Sequence, residues 1–230
     1  MSEPREAITE QELLRWSEML SALARTGLAF TESLYEQERF EEILLVAAEI
    51  QAGTSLPVEP ETLVEEWTKT IGHGVPGYVT PKATVGAIVG NDDGELLLMQ
   101  RADSGVWLYP TGWADVGYSP AEVAVKEVWE ETGIKTEVVK LLGVHDGMRL
   151  GFTRIPLYST VFHLRMIGGE LNPHPLECSD VGFFGRDELP EPILDSDRWV
   201  DRAFAAIRGD DVPVAFDHVR VMPWEEHNNA

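Results

Sequence analysis

The chain has 230 residues, enough for one substantial domain or two small ones, and its 43% hydrophobic content suffices for a buried core. A formal charge of −22 argues against a general nucleic-acid surface and against docking on anionic lipid, since both draw on clustered Lys and Arg. It leaves room for a phosphorylated small molecule, because a bound divalent cation reverses the local sign of a site.

Cys178 is the single cysteine, so an internal disulfide is excluded. The first residues carry no apolar leader, and no run approaches the ~20 apolar residues of a membrane span. A cytoplasmic protein without membrane contact is expected. Cys178 reads as a buried thiol rather than a nucleophile.

In chain order, the first 72 residues predict helices. Thr9 followed by Glu12 forms a capping box, and Leu13, Leu14, Met19, Leu20 and Leu23 recur at helical spacing up to a stop at Gly27. A second helix is predicted from about Glu32 to Ala52. Its apolar side carries Leu34, Phe40, Ile43, Leu44, Ala47 and Ile50. A third is predicted over about Pro60–Ile71, with proline in its first turn. Such amphipathic helices need a partner surface, either the rest of the chain or a second subunit. The Gly- and Pro-rich stretch 72–82 then punctuates the chain. It sets expected domains of 1–72, 73–208 and a polar, loosely packed tail, 209–230.

Beyond it the pattern turns to strands. Thr84–Val89 and Glu95–Gln100 flank the turn Asn91-Asp92-Asp93-Gly94 as a hairpin. A loop through Trp107 to Gly112 leads to a helix from Ser119. Strands follow around Glu137–Val144, Leu157–Met166 up to a Gly168-Gly169 turn, and Val181–Phe184. A last helix begins near Asp197. The expected class is α+β, an α/β/α sandwich with a mixed sheet, preceded by a small helical domain.

The helix from Ser119 carries the chemistry. Ser119 is its N-cap, Pro120 its first residue and Glu122 the third-position acid of a capping box, while Gly133 stops it. At about 100° per residue, Glu127, Glu130 and Glu131 share one face, which borders an apolar face of Ala121, Val125, Val128 and Thr132. Like charges at i and i+4 destabilise an isolated helix by a few tenths of a kcal/mol. A positive partner is therefore expected. Mg²⁺ or Mn²⁺, hard cations that take oxygen ligands and substrate phosphates, suit the position. The plainer alternative is an acidic solvated face with a Glu122–Lys126 ion pair.

The wider segment resembles the Nudix box, G-x5-E-x7-R-E-U-x-E-E-x-G-U with U aliphatic. Gly112, Glu127, Val128, Glu130, Glu131, Gly133 and Ile134 fill seven of its nine fixed positions, with every spacing met. Tyr118 stands in place of the first Glu and Lys126 in place of Arg. Thr111 replaces a common Gly just before the box. The resemblance takes in roughly residues 78–208. The N-terminal helices resemble an extension in a subgroup that includes ADP-ribose- and CDP-choline-type pyrophosphatases.

The resemblance implies a pyrophosphohydrolase that acts with Mg²⁺ or Mn²⁺ on a nucleoside diphosphate linked to another moiety, and the amphipathic N-terminal helices make a homodimer the expected assembly. It implies Glu127, Glu131 and Glu130 as metal ligands, with the Thr111 carbonyl as a further one. Lys126 would organise the carboxylates. Glu130 would ligate metal or position water, and a loop acid, Glu177 with Asp180 in reserve, would complete the set. Arg101 would meet a phosphate, and Trp107, Tyr109 and Trp113 would stack on a base. Lys keeps the charge of Arg but not its planar fork. With Tyr118 it leaves open a second reading, a catalytically weakened ligand-sensing module.

Overall fold

The computed structural model describes residues 8–54, 58–72, 79–115, 117–151 and 153–220. It divides into two compact units. One is helical and comprises residues 1–81 with 147–156, and the other is the sheet unit, residues 82–146 with 157–230.

The helical unit holds α1 (Glu10–Phe30), α2 (Leu34–Ala52) and α3 (Pro60–Thr68). Thr9 caps α1 through the expected box with Glu12. Gly27 does not end the helix, which runs on to Phe30. A Cβ at Gly27 would lie 2.3 Å from the Phe40 ring, so this glycine admits a close approach of α2. The core joins Ala24, Leu44, Ala47, Ala48, Leu63 and Trp67. The face of α1 turned inward is small and polar, with Ser17 and Ser21 fully buried, while Met19 and Leu23 stay more than half exposed. Leu34, on the apolar side of the second helix that needs a partner surface, is 80% exposed. The short helix α5 (Gly147–Leu150) belongs to this unit; the Gln11 amide donates to the Arg149 carbonyl at 2.6 Å.

The sheet unit orders its strands β3-β2-β1-β6-β5-β8. These are β1 (Lys82–Gly90), β2 (Leu96–Arg101), β3 (Trp107–Leu108), β5 (Ile134–Asp146), β6 (Leu157–Gly169) and β8 (Ala215–Phe216). Off that path, β4 (Thr111–Trp113) pairs with β1, and β7 (Cys178–Phe184) pairs with β2. The segment expected as a loop thus supplies two short strands, β3 and β4. The tail is not loose throughout, since β8 runs parallel to β5. β1 and β6 are parallel, and the remaining pairs are antiparallel.

Helix α4 (Pro120–Thr132) covers one face of the sheet over Val85, Ala87, Val89, Leu97 and Leu164. Helix α6 (Ser196–Ile207) covers the other over Ile88, Leu96, Leu98 and Val161. This is the expected α/β/α sandwich with a mixed sheet. β1 pairs with β4 at Thr84–Gly86 and meets β2 only at Gly90. The two partners therefore diverge, and β4 is carried beneath α4.

Candidate active site

α4 is built by its caps. Ser119 and Glu122 form the capping box, and Gly133, at φ 76°, turns the chain left-handed at the end. Val123, Ala124 and Val128 anchor it on the sheet. Its last turn is fastened from the other side by residues 170–177. The Asn172 amide donates to the Thr132 carbonyl at 2.8 Å, and the His174 amide to the Glu131 carbonyl at 3.0 Å. Carbonyls left open at a helix C-terminus thereby find donors.

Between this loop, α4 and β4 lies an open cleft of about 990 Å³. Glu127, Glu130, Glu131, Lys126, Thr111, Arg101 and Glu177 all line it. Glu131 is buried, 4% exposed, and accepts the Thr111 amide at 3.0 Å. The carboxyl of Glu127 fits against Gly112, where a Cβ would meet its Cδ at 2.2 Å. Lys126 Nζ bonds Glu130 at 2.7 Å and Asp115 at 3.1 Å, and stands 4.0 Å from Glu127. Glu122 is occupied in the cap, so the Glu122–Lys126 pair does not form.

Electrostatically the cleft is short of positive charge. Burial pushes Glu131 up to about 8, against the Thr111 amide and with help from Glu127 and Glu177. Glu127 is raised as well, first by burial, with Lys126 opposing and Glu130, Asp115 and Glu177 adding. Arg101 is bound to Asp103 at 2.9 Å and is felt only weakly by Glu131.

Not every expected residue arrives here. Trp107, 7% exposed, packs edge-on against Phe184 in the core on the α6 side. Tyr109 lies over Gly86 and edge-on to Trp199, in that same layer, where burial raises its phenol to about 12. Neither lines the cleft, so their expected stacking on a base is withdrawn. Alternation along the strand sends them to the opposite face. Asp180, exposed on β7, accepts its neighbour's amide and does not line the cleft either. Tyr118 is 54% exposed and also outside it.

Residues not anticipated do line it. Asp115 is placed by its bond to Lys126. His174 has a buried Nδ1 without a hydrogen-bond partner, 3.9 Å from Glu177. Trp129 is 56% exposed and Trp113, the one expected aromatic that does arrive, 48%. The helical period marks Trp129 as outward-facing, but the loop closing over that side is not written in any period.

Comparison with known proteins matches residues 80–206 to the NUDIX domain. The chain belongs to the Nudix family. Residues 11–63 match a second model, the UDP-X-like, N-terminal oligomerisation domain. The Nudix chain is 32% identical over 208 residues to the YjhB protein of Bacillus subtilis, a provisionally named ADP-ribose pyrophosphatase. That match covers 89% of this chain and 96% of the relative. An ADP-ribose pyrophosphatase of Methanocaldococcus jannaschii is 32% identical over 53% of this chain and 72% of its own. Among solved structures, a UDP-X diphosphatase superposes with a TM-score of 0.53 at 26% identity, over 91% of this chain and all of that one. This protein is a Nudix hydrolase with a helical N-terminal region. No described helix is long and apolar enough to cross a membrane.

Proposed function

We propose that the protein cleaves the pyrophosphate bond of a nucleoside diphosphate linked to another group, of the ADP-ribose or CDP-alcohol type, with Mg²⁺ or Mn²⁺. The observation that carries this reading is the pair Glu127 and Glu131, one carboxylate half-buried against Gly112 and the other buried on the Thr111 amide, at the floor of an open cleft. Burying carboxylates side by side is unfavourable unless a cation compensates them. The donors are hard oxygens, which suit Mg²⁺ or Mn²⁺. Among the described residues, no three His, Cys, Asp or Glu side chains form a group that would hold an ion unaided. Mg²⁺ is typically held by one or two carboxylates together with water and substrate phosphates.

Glu127 and Glu131 would hold the ion, with Glu130 and Glu177 beside them. The ion would neutralise charge developing on the phosphate oxygens. Lys126 fixes Glu130 and Asp115 in place. Glu177 and His174, on the docked loop, face the same space as the helix acids and are suited to orient water. Thr111 contributes its amide to Glu131, which supports a positioning role beside the carbonyl ligation expected for it. Arg101 lines the cleft within reach of the electrostatics of Glu131 and would meet a substrate phosphate. Tyr118 removes a carboxylate relative to the family pattern, but Asp115 brings one into the cleft, which favours an active hydrolase over a sensor. The names of the B. subtilis and M. jannaschii relatives and of the UDP-X diphosphatase favour a nucleoside diphosphate with a variable second half.

The proposal extends to a cytoplasmic homodimer joined through the N-terminal helices. Its support is the match to an oligomerisation domain and the exposure of Met19, Leu23, Phe30, Leu34 and Tyr35 on α1 and α2. Phosphatase-coupled phosphate release from ADP-ribose, CDP-choline and UDP-sugars, with and without Mg²⁺ or Mn²⁺, tests the activity. Metal-dependent release from at least one is expected. Binding without turnover across the panel would replace this reading with the sensor. Light scattering of Leu23→Asp tests the dimer, with a monomer expected.

A further inference from the structure

A second cleft, of about 560 Å³, shares no lining residue with the first. It lies on the α6 face of the sheet. Val161 belongs to the core layer under α6 and His163 follows two residues later, so alternation puts His163 on that face. β5 delivers a cation to it by an irregularity. Val138 pairs with Leu164, yet Lys140 rather than Val139 pairs with His163. Val139 is the extra residue of a β-bulge. Without it Lys140 would fall on the other face of the sheet. Bulges of this kind re-aim side chains and recur beside functional sites.

The imidazole so placed is 7% exposed, and its Nδ1 is buried without a hydrogen-bond partner. Leaving a buried polar atom without a partner is unfavourable. Lys140 Nζ is held by the Asp210 carbonyl at 3.1 Å. Burial and the Lys140 ammonium both favour the neutral form of His163. The acids lining the cleft, Glu137 and Asp92, act on Arg165 instead, which bonds Glu137 across the strands. α6 contributes Ala206 and Ile207, which are uncharged, and Ile207 abuts Gly90 at the cleft's edge.

We propose that the cleft at Lys140 and His163 binds a small oxyanion, a phosphate or carboxylate group, apart from the Nudix cleft. An oxygen seated there accepts from Lys140 and from the imidazole, supplying the partner that the ring lacks. In a chain with 40 acidic and 18 basic residues, a cleft whose lining acids are engaged with Arg165 leaves Lys140 and His163 as a selective place for an anion.

The test is histidine-ring NMR on the full chain, titrated separately with inorganic phosphate and with acetate. The resonance of His163 is assigned from His163→Asn. Either anion should shift it saturably and raise its titration midpoint. Response to phosphate alone identifies a phosphate site, and response to both a general oxyanion site. Lys140→Met should weaken binding roughly tenfold, the loss of one charge-assisted hydrogen bond, and Lys140→Arg should restore it. His174 reports separately on the Nudix cleft. An unmoved His163 with both anions, a phosphate shift confined to His174, or equal affinity in Lys140→Met would overturn the proposal.

Discussion

Gly112 and the Glu127 carboxyl occupy neighbouring space so tightly that a Cβ at position 112 would come within 2.2 Å of Glu127 Cδ. The neighbour is the end of a flexible side chain, so the fold accommodates Gly112→Ala by moving that carboxyl. A misplacement of ~1 Å at a reacting centre costs roughly a hundredfold in rate. Turnover of Gly112→Ala should fall by about that factor with near-normal thermal unfolding. Steady-state kinetics with a calorimetric scan checks both halves.

Glu131→Gln keeps the shape of the side chain and its place beside the Thr111 amide while removing the charge. The expected loss is at least an order of magnitude in kcat, as for removal of a group stabilising phosphoryl charge. Near-normal kcat in the folded variant would remove Glu131 from the machinery.

Trp107 and Trp113 separate stability from binding. Trp107→Ala opens a cavity in the α6-side core and should destabilise by about 3–5 kcal/mol without changing KM in the folded fraction. Trp113→Ala removes an exposed ring of the cleft. It should raise KM about fivefold if a base stacks there, equivalent to ~1 kcal/mol, with little effect on denaturant midpoint.

The helical unit should weaken as pH rises. Glu18, 8% exposed, has an Oε2 without a hydrogen-bond partner and lies 3.9 Å from Arg25, itself engaged with Ser21 and Thr70. Burial lifts Glu18 to about 7, with Arg25 opposing. A carboxyl raised in the folded state contributes stability that is complete below its ordinary value of 4.5 and lost as pH climbs through 7. The loss is on the order of 3 kcal/mol. Glu18→Gln should flatten this dependence and raise the unfolding midpoint at pH 8. Identical pH profiles for the two proteins would refute it.

The helices that end in strong caps were readable from sequence, α4 above all, because Ser119, Glu122 and Gly133 satisfy local geometry that no distant contact overrides. The grouping of Glu127, Glu130 and Glu131 followed from the helical period. Which of them is buried did not, since Glu131 is enclosed by Thr111, twenty residues away in sequence. Trp107 and Tyr109 were misplaced because sequence proximity to the box says nothing about which sheet face a short strand presents. Asp115 and His174 are not legible in the sequence because a loop acid and a loop histidine follow no period; one is placed by Lys126 and the other by main-chain bonds to the end of α4. On α1 the apolar spacing groups Met19 and Leu23 without saying whether this chain or a second subunit covers them, and it is Ser17, Ser21 and Ala24 that face the core. Close helix packing selects small residues there.

The loop over the cleft is tied to α4 by the amides of Asn172 and His174, not by their side chains. Almost any amino acid other than proline at these two positions would preserve the tether. Apart from His174 and Glu177, the wall of the cleft is therefore free to be rewritten while the acids beneath keep their places. One hydrolytic floor under an exchangeable wall offers a lineage an inexpensive way to change what it cuts.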